Sequence, residues 1–340
     1  MRTLRTGRVS FLCFLCFLAS VLAAAGLLMM ASCSLNPRAR TTVSPDLDFE
    51  KFSLLLTEGE KEVYRHLPEG ERQEFLELCW KFRDPEPATE VNELREEFKE
   101  RVAFANRWFS PIPGDRLSRR PDAQIRDAGW FTERGKVFLV LGFPDRMFFL
   151  LSDGDFHMLE HSQLNERWRY DSASEETWEY DRYKMVAHFY QEGGRWYADY
   201  SPELIDTMAE IKQDYLNASL SPRLRFHFEA KFADGQLSLK IPVNKVNFSE
   251  ENDLLIARFR VKVTPYKGTQ KLDEQVFSQE FKLSKIEKRE KGSLTLKVPV
   301  KLPGPGAYLL EVILEDITDG EVSGRGRALA SAIIMSKASS

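Results

Sequence analysis

The residues with the clearest chemical potential are His157-Met-Leu-Glu160-His161. In an H-x-x-E-H pattern both histidines ligate zinc and the glutamate activates a water for hydrolysis. On a helix, the four-residue step would set the two imidazoles on one face, as a metal requires. The surroundings argue against that use. Asp153-Gly-Asp155 just upstream reads as a turn, no apolar run frames a buried helix, and no glutamate stands where such enzymes take a third ligand. The expectation is a solvated polar loop, with a zinc-dependent envelope hydrolase using His157, Glu160 and His161 as the alternative. Asp153 and Asp155 begin like a calcium loop, but Met158 holds the sixth position, where that turn needs glycine. The chain has no G-x-S-x-G, P-loop or G-x-G-x-x-G. No catalytic residue, resident metal or cofactor is therefore assigned.

Covalent chemistry of another kind centres on Cys33. A basic start (Arg2, Arg5, Arg8), an apolar run through residues 9–30 and then Ala31-Ser32-Cys33 resemble the signal peptide and lipobox of bacterial lipoproteins. Met30 takes the place of the more usual Leu. The resemblance implies a signal peptide over 1–32 and a lipidated Cys33 as the first mature residue, held stably because several acyl chains anchor where one gives only marginal binding. The alternative is an uncleaved anchor, since the run exceeds an ordinary h-region and nearly spans a bilayer of about 30 Å at about 1.5 Å per residue. Either way the folded part is tethered outside the cytoplasm. In a Gram-negative cell, Ser34 rather than Asp after the cysteine points to the outer membrane, facing the periplasm.

The four cysteines include Cys13 and Cys16 within the leader and Cys33 at the lipidation position. Cys79 alone remains, so the mature chain forms no intramolecular disulfide and no zinc site built on several cysteines. Flanked by Leu78 and Trp80, it is expected to behave as a small buried hydrophobe. Removing residues 1–32 takes away three arginines and no acids, which moves the formal net charge from −4 to −7. An acidic surface with interspersed signs argues against nucleic acid as a partner. The partners expected are the membrane, through the lipid, and an envelope protein.

The remaining length suggests two domains. Residues 33–48 read as a linker with two prolines, whose reach at about 3 Å per residue is on the order of 45 Å. Residues 49–220 form the first domain. Leu54, Leu55, Tyr64 and Leu67 fit one helix, and Phe75, Leu76 and Trp80 a second that stops at Asp84-Pro85. Thr89 is the expected cap of a third, in which Leu94, Phe98, Val102, Ala105 and Trp108 recur at helical steps. Residues 111–122 are basic and rich in turns. Residues 136–141, apolar from Val137 on, predict a buried strand ending at Gly142-Phe-Pro144-Asp145. Strands at 176–183 and 185–190, a Gly193-Gly194 hairpin into 195–200 and a helix over 202–216 complete an α+β unit of helices followed by a small antiparallel sheet. Dense aromatics here, among them Trp168, Tyr170, Trp178, Tyr190 and Tyr197, fit cross-strand pairs better than a stacking platform for ligands.

The second domain, 224–336, alternates throughout. Candidate strands at 225–232, 236–243, 253–265, 275–283, 293–300, 306–315 and 325–335 predict an all-β, Ig- or fibronectin-like sandwich. Residues 302–308, with Pro-Gly-Pro-Gly before Tyr308, resemble the entry to a tyrosine corner.

Gly129-Trp130-Phe-Thr132-Glu-Arg134-Gly135, running on to Gly142-Phe-Pro144-Asp145, resembles the signature of the GWxTD-domain proteins of the bacterial envelope. Glu133 stands where that family usually has Asp. Trp80-Lys-Phe-Arg83-Asp84-Pro85 and Thr177-Trp178-Glu-Tyr180 resemble other parts of the same domain, so the likeness covers about 50–217, with 151–174 longer than usual. It implies an envelope protein with no established biochemical activity. Read physically, Gly129, Gly135 and Gly142 permit tight backbone geometry, Trp130 and Pro144 supply shape, Thr132 a hydroxyl, and Arg134 a cation for Asp145 or Asp84. Such residues make a structural brace rather than a proton-transfer site. The other reading makes these turns the rim of a binding cleft.

Overall fold

The computed structural model describes residues 47–110, 128–163 and 172–335, all within one compact unit that begins at Asp46. Helices come first. The single helix expected through Leu54 and Leu67 is two, α1 (Leu47–Phe52) and α2 (Glu58–His66). Thr57 forces the break: its hydroxyl accepts from the Glu60 amide while the Glu60 carboxylate accepts from the Thr57 amide at 2.7 Å, a capping box. Helix α1 also takes in the last two residues of the expected linker, and Phe49 stacks on Tyr64 at 3.8 Å. Helix α3 (Glu69–Phe82) ends before Asp84-Pro85 as expected. Helix α4 (Glu93–Trp108) is capped by Asn92 rather than Thr89. The Asn92 side chain accepts from the Arg95 amide and donates to the Trp80 carbonyl, both at 2.9 Å, so it also ties α4 to α3.

Residues 136–141 are not a strand. They belong to helix α5 (Glu133–Leu141), which Thr132 caps and Gly142, at φ 80°, ends. Residues 137–141 are all buried, and a short run that is apolar on every side carries no period to separate helix from strand.

Against α5 lies an antiparallel sheet in the order β2-β1-β3-β4-β5, formed by Arg146–Leu151 (β1), Phe156–Glu160 (β2), Ala173–Tyr180 (β3), Met185–Glu192 (β4) and Arg195–Ala198 (β5). Gly193 and Gly194, both at positive φ, make the β4–β5 hairpin. Met147, Phe149, Trp178, Ala187 and Phe189 point from the inner face into the core. Helix α6 (Pro202–Leu216) closes this part, with Ser201 as cap and proline in its first turn.

The rest is a β-sandwich. Three strands, Glu229–Ala233 (β6), Gln236–Pro242 (β7) and Ser293–Pro299 (β12), form one sheet. The other is built on Leu254–Lys267 (β9), Gly306–Asp316 (β13) and Gly324–Ile334 (β14), with Gln275–Leu283 (β11) and two short pieces, Ser249–Glu251 (β8) and Gln270–Lys271 (β10), also paired to β9. Between them pack Leu237, Leu239 and Ile241 from β7, Leu294 and Leu296 from β12, and Leu310, Val312 and Leu314 from β13. The Tyr308 hydroxyl donates to the Gly304 carbonyl at 3.0 Å, closing the expected corner. Part of the larger sheet is covered on both sides, because Tyr266, Leu309 and Leu329 on its other face join the helical core. Helix α2 lies so close to β14 that a Cβ on Gly59 would come 2.9 Å from the Ser331 nitrogen. Asn217 and Arg327 add a polar seam: the Asn217 side chain accepts from the Arg327 amide at 2.7 Å, and the Arg327 guanidinium donates to the Phe82 and Leu216 carbonyls. Among the described residues, those of both cores fall between Phe49 and Ile334.

Burial, and then the nearby Lys61, push Lys212 on α6 down to about pKa 8, against the pull of Glu58. Below pH 8 this lysine is charged in both states and the folded protein bears the whole desolvation cost. Between about 8 and the ordinary value of 10.5 the unfolded chain holds more protons, so this group makes stability rise with pH. Lys212→Met is expected to stabilise the fold at pH 7, with the difference from the parent shrinking as pH rises past 8. Denaturant midpoints at pH 7 and pH 10 check it, and a pH-independent difference would contradict it.

Candidate functional site

The motif residues meet at the junction of α4, α5 and the five-stranded sheet. Gly129–Phe131 forms a 3-10 turn lying on α4, where the Trp130 amide donates to the Asn106 side chain at 3.3 Å and the Trp130 ring is buried. Thr132 is the joint. Its hydroxyl donates to the Gly129 carbonyl at 2.7 Å and accepts from the Gly135 amide at 3.0 Å, so one side chain closes the turn and starts α5. Gly135 lies against the turn with no room for a side chain, since a Cβ there would sit 2.0 Å from the Gly129 oxygen. Glu133, in the family's Asp position, accepts from the Tyr200 hydroxyl at 2.5 Å and pairs with Lys136 at 2.7 Å. Burial, then this bond to Glu133, push the Tyr200 phenol well above its ordinary range.

Arg134 pairs with neither Asp145 nor Asp84. Its guanidinium meets Glu176 of β3 at 2.5 Å in a buried ion pair, and the other Glu176 oxygen accepts from the Trp178 indole at 3.1 Å. The cation is sandwiched between Trp196 and Phe109, 4.2 and 5.2 Å from the ring centres. The sequence expectation failed because the acids of the turns have other work. Asp145 lies at the exposed end of β1, where its carboxylate accepts from the Asp181 amide at 2.8 Å and its carbonyl from the His161 amide. Asp84 accepts from the Glu86 amide. Pro144 is buried beside Asp145.

At the far end of α5, Arg101 from α4 takes over. It donates to the carbonyls of Leu139 and Val140 and to the Tyr215 hydroxyl, and it pairs with Glu97. These are the carbonyls that a helix C-terminus leaves without partners. Tyr215 in turn donates to Val140, and Tyr180 to Gly142. Burial raises both phenols, and Arg101 works against that rise. A second buried pair, Arg83 with Glu60, a pairing that no sequence motif marks, ties α3 to α2 at 2.6 Å through both nitrogens, with Arg83 also donating to Leu55 and Cys79 carbonyls. Arg83 lies in the Trp80–Pro85 segment of the resemblance, and burial pushes the neighbouring Cys79 thiol up, in keeping with an inert hydrophobe.

The H-x-x-E-H residues are brought together neither as a loop nor as a helical metal face. His157 and Glu160 lie on strand β2, three residues apart and so on opposite faces, while His161 follows the strand with its ring edge-on to Phe143 at 5.2 Å. Among the described residues no group of three or more His, Cys, Asp or Glu is arranged to hold a metal ion. Cys33, residues 111–122, Trp168 and Tyr170 lie outside the described residues.

The outer face of the five-stranded sheet carries what the brace does not absorb. Phe156, Leu150, Glu175, Tyr190 and Tyr197 form one row across all five strands, and Met158, Phe148, Thr177 and His188 the next. Phe156 is 66% exposed and Met158 and Tyr190 46% each. Tyr190 and Tyr197 stack at 5.7 Å, a cross-strand pair of the kind expected for this aromatic cluster, and Phe148 and Phe156 stack at 5.6 Å. Among the described residues, helices cover only the opposite face.

Comparison with protein-family models and with curated proteins finds no match to this chain.

Proposed function

We propose that this chain is a lipid-anchored protein of the bacterial cell envelope, of the GWxTD kind, that works as a protein-binding or assembly module. The observation that carries the binding role is the uncovered sheet face. Five of its side chains, Phe156, Met158, Val186, Tyr190 and Tyr197, are large apolar groups left open to solvent on a rigid scaffold. Exposed apolar patches mark interaction sites in soluble domains, and here Phe156 with Met158 and Tyr190 with Tyr197 flank the polar strip of Glu175 and Thr177 on β3. The motif residues support the role indirectly, since their polar groups hold α4, α5 and β3 together beneath that face. Among the described residues no helix is long and apolar enough to cross a membrane. In this reading attachment is through Cys33, with the protein on the outer membrane, facing the periplasm.

A photo-crosslinking residue at Phe156 or Tyr190, in cells, tests the binding role against the same probe at Ile205, an exposed position on α6. The sheet positions are expected to capture an envelope protein, with capture lost in Met158→Glu and absent at Ile205. Equal yields from both surfaces would sink the binding role. Cys33→Ser is expected to shift the protein from the membrane to the soluble fraction, whereas persistence in the membrane would mean a spanning helix.

A further inference from the structure

A second uncovered surface lies at the end of the sandwich where β11 ends and β12 begins. A short helix, α7 (Lys285–Glu290), fills the connection, held by a capping box of Ser284 and Glu287. Beside it an open cleft of about 840 Å³ is lined by Val243 and Leu255 together with Lys285, Lys288, Arg289 and Lys291. Lys285 reaches Glu250 at 2.6 Å. Lys288 sits over the Phe248 ring at 4.5 Å, and among the described residues no carboxylate forms an ion pair with Lys288, Arg289 or Lys291. Ile286 projects from the same turn with 67% of its surface exposed.

We infer that this end of the sandwich docks on an anionic phospholipid surface. Cations around a protruding aliphatic side chain are the makings of an interfacial contact, in which the apolar tip enters the headgroup boundary while the charges stay at the phosphates. The cations are mostly exposed, which suits a broad charged plane better than a discrete phosphate enclosed in a pocket. A nucleic acid would have to run past the patch over a chain of net charge −7 from Cys33 onward, while a bilayer meets only the protruding end. The inference does not depend on the lipid anchor. With the anchor in place, the tether would raise the local concentration of the patch at the membrane.

The test uses residues 34–340, which hold every described residue of both cores, in flotation with vesicles of phosphatidylcholine alone and of phosphatidylcholine mixed with phosphatidylglycerol. Binding is expected only to the anionic vesicles, falling as salt is raised. Lys288→Gln, Arg289→Gln and Lys291→Gln together are expected to lower the partition coefficient by on the order of a hundredfold, and Ile286→Ser by about tenfold. Unchanged circular dichroism melting of these surface variants would show that the fold is intact. Failure to float with anionic vesicles, equal flotation with both kinds, or retention by duplex DNA without vesicle binding would each overturn the inference. Failure of Cys33→Ser to release the full chain would leave it standing, because that result bears on the anchor alone.

Discussion

Arg134→Ala is expected to destabilise the protein by about 3–5 kcal/mol, because it leaves the Glu176 carboxylate buried without its cation. The Glu176 side chain has no solvent exposure and the Arg134 side chain only 7%, so water cannot replace the lost charge. The substitution also removes the planar group stacked between Trp196 and Phe109. Denaturant unfolding should show a lower midpoint at unchanged slope, the signature of lost stability without a change in the surface exposed. Replacing both partners, as Arg134→Met with Glu176→Leu, is expected to recover most of the loss, since swapping a buried pair for apolar groups is often near neutral. The outcome that would count against the brace is specific. If Arg134→Ala kept full stability yet abolished capture from the sheet-face crosslinking positions, the arginine would belong to a binding site and not to the scaffold. Glu60→Ala is the parallel case on the other side of the helical layer. It removes the counter-ion of Arg83 and the acceptor of the Thr57 amide together, so a loss of similar size is expected there.

Where the sequence carries a period, it specifies the structure closely. The expected helix over 202–216 is α6 residue for residue, and the expected strands at 236–243 and 306–315 match Gln236–Pro242 and Gly306–Asp316 to within one residue. These elements bury one face, or alternate faces, and the alternation is written in the residue types. Helix α5 reads as a strand in the sequence because residues 137–141 are apolar and buried on every side, and only Thr132 and Gly142 at its ends mark what it is. The break at Thr57 was legible in principle, since Thr57-Glu58-Gly59-Glu60 is a capping-box pattern. The ion pairs were not legible. Arg134 finds its partner 42 residues away and Arg83 finds Glu60 23 residues away, separations that depend on how the elements stack. A chain with many acids and bases offers dozens of equivalent pairings. The exposed sheet face is not legible in the sequence for a related reason: only strand register shows that Phe156 and Met158 share a face with Tyr190.

Gly129→Ala is expected to cost at least as much as ordinary overpacking, which runs about 1–3 kcal/mol. The cause is space. The added Cβ would stand 1.8 Å from the Ala105 oxygen and 2.5 Å from the Ala105 carbonyl carbon, and both belong to the backbone of α4. A side chain in the way could rotate aside, but a helix backbone moves only as a body, so the 3-10 turn must lift off α4. Lifting it pulls on Thr132, whose hydroxyl is fixed to Gly129 and Gly135 at once, and through it on the start of α5 and on Arg134. The damage should therefore spread beyond one contact, and amide exchange in α5 should quicken along with that in the turn. Gly70→Ala supplies the contrast. Gly70 sits in the first turn of α3 with nothing within 4 Å of the added Cβ, so the same change there is expected to raise stability by about 0.4–1 kcal/mol through the unfolded chain. Measured together by denaturant midpoint, the two substitutions should shift in opposite directions. A Gly129→Ala midpoint within error of the parent would mean that the turn does not rest on α4, and the motif could not then be the brace that fixes the sheet face above it.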